Sequence, residues 1–395
     1  MSKEKDSGLT DVLDDLKDKE KGAPKPPTFD PAKAWADKVI KHERQLIRCR
    51  FSPCGKFVAA GGLDRLIHVW ELDSDKKYSF AGHQTWVASL AFNPKGKSLF
   101  TSDYHGVIHA WDYATAGSKP LFTIPKADAN ITRALAVTLD GRHLLSAGDD
   151  TIVRLWDAIS GKLVREFPGH RECVFSLACH PDGKSFVSGD LFGVVKQWDL
   201  ETGKATRDLD ASALHTRKAD FIADVGGVRS LAFDATGKLL ACGGMKDAES
   251  NAFCPGTPVV LVFDWATGKS SLQLKLANKA DGPVNALRFL PDGTLVGCAE
   301  TQGPGTELAF WKTDKDEPFH HLKATSAYDL DLHPDGLRLV TPQFVASGSG
   351  GNGAREKFKS KYVANSASLQ LFNLYENPKA KAPSKAPAKA PAKKV

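Results

Sequence analysis

The strongest constraint on this chain is a turn that recurs seven times. A short apolar stretch ends in Asn-Pro or His-Pro, then x-Gly, or in a variant of that pattern. The copies are Ser52-Pro53-Cys54-Gly55, Asn93-Pro94-Lys95-Gly96, Leu139-Asp140-Gly141, His180-Pro181-Asp182-Gly183, Asp234-Ala235-Thr236-Gly237, Leu290-Pro291-Asp292-Gly293 and His333-Pro334-Asp335-Gly336. Proline presets the turn and glycine supplies a positive φ, so each copy closes a hairpin. A further apolar strand after each hairpin ends in an aromatic residue: Trp70, Trp111, Trp156, Trp198, Phe263, Trp311 and Phe372. The first four aromatics are 41, 45 and 42 residues apart, and the later gaps are 65, 48 and 61. An acid follows five of them, at Glu71, Asp112, Asp157, Asp199 and Asp264. Strands recurring with a period near 40–45 residues and a terminal Trp-Asp mark the four-stranded blade of a propeller.

That period resembles the WD-repeat family of seven-bladed β-propellers, and in particular its divergent bacterial members. Gly82-His83 and Gly169-His170 stand at repeat starts, and Ser146–Asp157 is the best complete copy. The resemblance covers about residues 38–374. It implies an all-β fold, a single seven-bladed propeller. It also implies a buried network of His, Ser or Thr, Asp and Trp in each blade. Carried over, blade 1 has His42, Asp64 and Trp70, with Ala60 at the hydroxyl position. Blade 2 has His83, Thr101 and Trp111, with His105 at the Asp position. Blade 3 has Ser146, Asp150 and Trp156, with Asp128 at the His position. Blade 4 has His170, Ser188 and Trp198, with Phe192 at the Asp position. No blade is expected to hold the full set.

Counting strands predicts how the ring closes. The last unit has strands near 328–333, 337–341 and 368–374 and no fourth apolar strand after them, whereas Trp35–Lys41 is an unassigned strand ahead of blade 1. In the family an N-terminal strand completes the last blade, and this segment is expected to do so, leaving no open sheet edge. The organisation read from the sequence is a charged leader and linker over 1–32, the propeller over 33–376, and a disordered tail over 377–395.

Composition narrows the function. Residues 378–395 hold six lysines, six alanines, four prolines and no acid, so the net charge of +6 sits in the tail and the rest is neutral. Such a tail cannot form a core. It resembles linker-histone-like tails, which implies a route to nucleic acid or another polyanion by counterion release, including through Lys393 and Lys394. A solvated spacer is the other reading. Leu9, Val12, Leu13 and Leu16 have helical spacing in an otherwise solvated leader. No apolar stretch of about 18 residues is present, and the leader has no secretory core, so a cytoplasmic chain without membrane contact is expected. Seven cysteines (49, 54, 173, 179, 242, 254 and 298) without C-x-x-C spacing are expected to be small buried hydrophobes rather than disulfides or a zinc site.

Enlarged connections fall at about 204–224, 245–258, 300–307 and 342–367. Family geometry puts all of them on one face, the top. The last contains Arg355, Lys357, Lys359 and Lys361 against Glu356. Aligning the innermost strands puts Arg133, Arg229, Asn285 and Asp329 at one equivalent position, which the family's geometry would place near the channel mouth, with Trp86, Tyr104 and His105 expected on the same rim. Exposed aromatics and arginines are typical anchors. The chain has no G-x-S-x-G, H-E-x-x-H or P-loop motif. The expected function is a non-catalytic scaffold, monomeric by itself, which binds other proteins on the top face without cofactor or metal. The alternatives are a nucleic-acid-associated propeller using the tail and a propeller enzyme with a channel site.

Overall fold

The computed structural model describes residues 27–74, 76–218, 222–249, 255–276, 282–299, 307–324, 327–345, 353–355, 362–364 and 366–379. Seven antiparallel four-stranded sheets stand around a central channel. Blade 1 runs from Leu46 to Ala81, blade 2 from Val87 to Ile124, blade 3 from Thr132 to Phe167 and blade 4 from Val174 to Asp210. Blade 5 runs from Ser230 to Lys275 and blade 6 from Val284 to Lys323. Two extra two-stranded hairpins pair His215–Arg217 with Asp224–Gly226 and Gly353–Arg355 with Tyr362–Ala364. They occupy two of the enlarged connections expected from the sequence.

The seventh blade closes as the strand count predicts. Trp35–His42 pairs antiparallel with Ser366–Asn373, from Trp35↔Asn373 to His42↔Ala367. The bridge between Phe29 and Tyr375 extends this seam. The core lies between blades rather than within them. Val187 and Val195 of blade 4 pack with Leu240, Cys242 and Phe263 of blade 5, and Cys49 and Val58 of blade 1 pack with Val340 and Leu369 of blade 7. The seven strand-end aromatics are all buried.

The recurring turn also fastens neighbouring blades. Asn93 Nδ2 donates to the carbonyl of Gly141 at 2.8 Å. His180 Nε2 lies 3.0 Å from the Gly237 carbonyl, and His333 Nε2 lies 2.8 Å from that of Gly55. The residue before proline in one turn thus holds the glycine of the next. These glycines are required twice over. Their φ values are +72° at Gly55, +74° at Gly141 and +69° at Gly237, and a Cβ on Gly55 would sit 2.7 Å from the His333 ring.

Blades 2 and 4 correct the expectation of incomplete hydrogen-bond sets. His83 Nδ1 lies 2.9 Å from Asp103 Oδ2, and His83 Nε2 lies 2.7 Å from Thr101 Oγ1, which also accepts from Trp111 Nε1. In blade 4, His170 bonds Asp190 and Ser188 at 2.8 and 2.6 Å, and Trp198 donates to Ser188 at 2.7 Å. The carboxylate stands at the end of the second strand, two residues before His105 and Phe192. From there Asp103 Oδ1 also accepts the backbone N–H groups of His105 and Val107. Blade 3 does substitute Asp128 for histidine, and the Asp150 backbone N–H donates to it. Burial raises the Asp128 pKa to about 6, and the nearby Asp150 carboxylate adds to the rise.

The described cysteines are all free. Cys49, Cys242 and Cys298 are buried as expected, and Cys173 and Cys179 are partly so. Cys54 is exposed because it occupies the tip of a turn, and Cys254 lies outside the described residues. No helix of the described residues is long and apolar enough to cross a membrane.

Candidate functional site

Innermost strands carry a bulge near their start. The register slips between Leu46 and Arg48, Val87 and Ser89, Thr132 and Ala134, Val174 and Ser176, and Val284 and Ala286. The slip skips one residue in each register: Ile47, Ala88, Arg133, Phe175 and Asn285. A bulge bends its strand and re-aims that side chain. Arg133, Phe175 and Asn285 accordingly line the channel, together with Arg229 of blade 5 and Asp329 ahead of the blade 7 strands.

The channel holds a cavity of about 410 Å³. Arg48, Arg50, Arg133, Arg229 and Arg288 line it, and Asp329 is the one acid among the described lining residues. Three of these arginines have carboxylate partners. Arg50 NH1 lies 2.5 Å from Asp329 Oδ2, Arg288 Nε lies 2.9 Å from Asp331 Oδ1, and Arg133 pairs with Asp149. Arg48 instead donates to the carbonyls of Ala88 and Ile47, at 3.0 and 3.1 Å. Arg229 Nε donates to the Gly226 carbonyl at 2.8 Å. Among the described residues, five guanidinium groups line the channel and three aspartates pair with them. Concave low-dielectric walls focus the field of the charges that line them. The Phe175 ring sits under two of them, with guanidinium carbons 3.9 Å (Arg229) and 5.1 Å (Arg133) from its centre.

At the mouth, Tyr104 joins Arg48, Arg133, Phe175, Arg229 and Asn285 around a smaller recess. Trp86 is 38% exposed and meets Tyr104 edge-on at 5.6 Å between ring centres. His105 is exposed beside them. The structure therefore brings Trp86, Tyr104, Arg133, Arg229 and Asn285 together, with His105 flanking. Asp329 differs from its expected place as a surface anchor. It is 3% exposed, and its carboxylate is taken up by Arg50 and by the N–H groups of Cys49 (3.2 Å) and Leu330 (3.0 Å). It ties blade 7 to blade 1. Arg355 ends the short strand Gly353–Arg355, while Lys357, Lys359, Lys361, Lys393 and Lys394 lie outside the described residues.

Sequence alignment of the strands missed Arg48, Arg50 and Arg288. Arg48-x-Arg50 is an i, i+2 pair on one strand face, a period-2 signal that points both side chains the same way.

The WD domain, G-beta repeat family matches residues 38–71, 74–112, 118–157 and 161–199, the strand seam and blades 1 to 4. A guanine nucleotide-binding protein subunit beta from Zea mays is 28% identical over 266 residues, covering 64% of this chain and 66% of that protein. The corresponding subunit from Solanum tuberosum is 28% identical over 284 residues, covering 67% and 69%. Apoptotic protease-activating factor 1 from Mus musculus is 30% identical over 145 residues, 36% of this chain and 11% of that protein. The chain thus spans about two-thirds of the β subunits and a small part of the apoptotic factor. These relatives are from plants and a mammal and give no support to the bacterial likeness. Seven closed blades, recurring strand-end tryptophans and the four matched repeats agree: residues 38–199 carry four WD repeats, within a seven-bladed β-propeller.

Proposed function

We propose that this propeller is a non-catalytic scaffold that captures protein partners at its channel mouth, through an acidic segment of the partner. The convergence of five arginines on one cavity, capped by exposed Trp86 and its neighbour Tyr104, carries this reading. Guanidinium groups recognise carboxylates by paired hydrogen bonds, and aromatic side chains supply contact area at low entropic cost. The wall chemistry favours binding over catalysis. Its described polar lining is arginines, Asn285, the acid Asp329, held in an ion pair, and three serines, Ser89, Ser176 and Ser230, whose hydroxyls are each engaged by a backbone group in or just ahead of the next blade. The similarity to guanine nucleotide-binding protein β subunits, each one subunit of a larger protein, supports a partner-holding role.

The test is titration with a fluorescent glutamate-rich peptide at two salt concentrations, using intact protein, an Arg133→Ala/Arg229→Ala double variant and a chain ending at 377. Binding that weakens with salt, survives tail removal and falls by roughly tenfold or more in the double variant supports the reading. Affinity unchanged in the double variant overturns it. Salt-dependent binding of duplex DNA that vanishes with residues 378–395 would favour the nucleic-acid alternative instead.

A further inference from the structure

The first blade departs from blades 2 and 4 in one respect that bears on ligand chemistry. With Ala60 in place of Ser or Thr, His42 has no hydroxyl partner there. Its Nε2 lies 3.1 Å from Asp64 Oδ2, and a second histidine, His68, places its own Nε2 2.7 Å from the same oxygen. The three ligand atoms lie within 4.8 Å of one another. The side chains are 6%, 13% and 3% exposed for His42, Asp64 and His68. Blade 2 shows the contrast. His83 and His109 are also close, with ring centres 4.5 Å apart, but Asp103 and Thr101 take both nitrogens of His83, and His109 Nδ1 faces Thr123.

We propose that His42, Asp64 and His68 form a binding site for a divalent transition-metal ion of the zinc type, fastening the ring seam. Two imidazoles and one carboxylate are a donor set that zinc accepts, with a fourth position open to water. His42 ends the strand that completes blade 7, whereas Asp64 and His68 belong to the third-strand hairpin of blade 1. One ion would therefore join the closing strand to the next blade. The surroundings meet two further needs. His68 Nδ1 lies 2.7 Å from Ser79 Oγ, which fixes the ring and accepts the Nδ1–H hydrogen bond when Nε2 turns to a metal. Lys77 is exposed, and its Nζ stands 3.1 Å from His42 Nδ1. Coordination through His42 Nε2 moves that ring's proton to Nδ1, so the Lys77 ammonium must swing aside. Lys77 competes with the ion, and its flexible stem is the access route.

The test uses untagged full-length protein titrated with Zn²⁺ by calorimetry and with Co²⁺ by visible absorption. One equivalent binding at micromolar affinity or tighter, with a tetrahedral Co²⁺ spectrum and a higher Tm, is expected. His68→Gln should weaken binding by at least about 100-fold while its circular dichroism stays native. Replacing both His320 and His321 by Gln, which removes the other adjacent histidine pair, should leave binding intact. Lys77→Met should strengthen it. No saturable binding, or binding that survives His68→Gln, overturns the site. Should His68→Gln not fold, weaker binding in Lys77→Met overturns it as well, because a surface site elsewhere has no reason to gain from losing that ammonium.

Discussion

The guanidinium carbon of Arg229 stands 3.9 Å from the centre of the Phe175 ring, with Arg133 on the same ring at 5.1 Å. One aromatic ring thus stands in contact with two like charges. Phe175→Ala removes the ring without changing net charge. Each cation–π contact contributes about 0.5–1 kcal/mol at a partly exposed site. The two contacts sum to about 1–2 kcal/mol, so binding of an acidic peptide should fall by about 5–30-fold, read by fluorescence anisotropy. Equal affinity in the variant would show that Phe175 only fills space.

The shared hydroxyl of Ser188 serves His170 and Trp198 at once. Ser188→Ala leaves two buried groups short of a partner and should cost about 1–3 kcal/mol. Chemical denaturation measures it. Thr101→Ala should behave alike in blade 2, where His83 and Trp111 share one oxygen. Loss below about 0.5 kcal/mol in both would mean that water replaces the hydroxyl.

Between blades, His333→Ala deletes the contact to the Gly55 carbonyl and the edge-on packing against Phe51, 4.9 Å away. A loss of about 1–3 kcal/mol is expected. Gly55→Ala should cost a similar amount for a different reason, a strained positive φ and a Cβ against the His333 ring. The two residues touch, so the double variant should lose less than the sum of the singles.

Acid titration should reveal two groups of opposite sign. Burial, with His83 nearby, holds the His109 pKa down to about 4. The unfolded chain protonates this ring below about 6.5 while the folded one does not, so its contribution is full above that pH and drains away toward 4. His109→Phe should flatten that limb. Asp128 is raised to about 6. Its contribution is full below about 3.8 and is lost as the pH climbs through 6. Asp128→Asn should therefore match the parent near pH 4 and exceed it at pH 7.5 by about 1–2 kcal/mol, allowing for solvent screening. Thermal melts at pH 4, 5.5 and 7.5 read both, and an Asn variant no better at pH 7.5 than at pH 4 would contradict the Asp128 assignment.

Much of this fold is legible because its determinants are local. A Pro-x-Gly turn and a strand-end tryptophan act within a few residues, and the closing strand follows from counting. The hydrogen-bond sets were harder to read. Asp103 and Asp190 reach their histidines from the strand end, and reach depends on side-chain direction, not on distance from tryptophan along the chain. The channel divides in the same way. Arg133 and Arg229 share an aligned position and are readable as a pair. Arg48, Arg50 and Arg288 join them only through the curvature of the ring, and the burial of Asp329 depends on Arg50, 279 positions away. The His42, Asp64 and His68 cluster is legible only in part: the repeat pattern pairs His42 with Asp64, and His68 joins them through the direction of its side chain on the third strand.

The seam between Trp35–His42 and Ser366–Asn373 has a mechanical consequence. Trp35 faces Asn373 at one end and His42 faces Ala367 at the other. Tension applied at residues 35 and 373 therefore enters at a single end of the pairing. The bonds carry load one after another, as in a zip fastener, and not all together as in a sheared lap joint. Pulling on the two flanks should open the disc at this seam at low force before any other blade yields, which optical tweezers can record as a first small step. His42 is at the last tooth of that fastener, where a single additional link would resist the opening most.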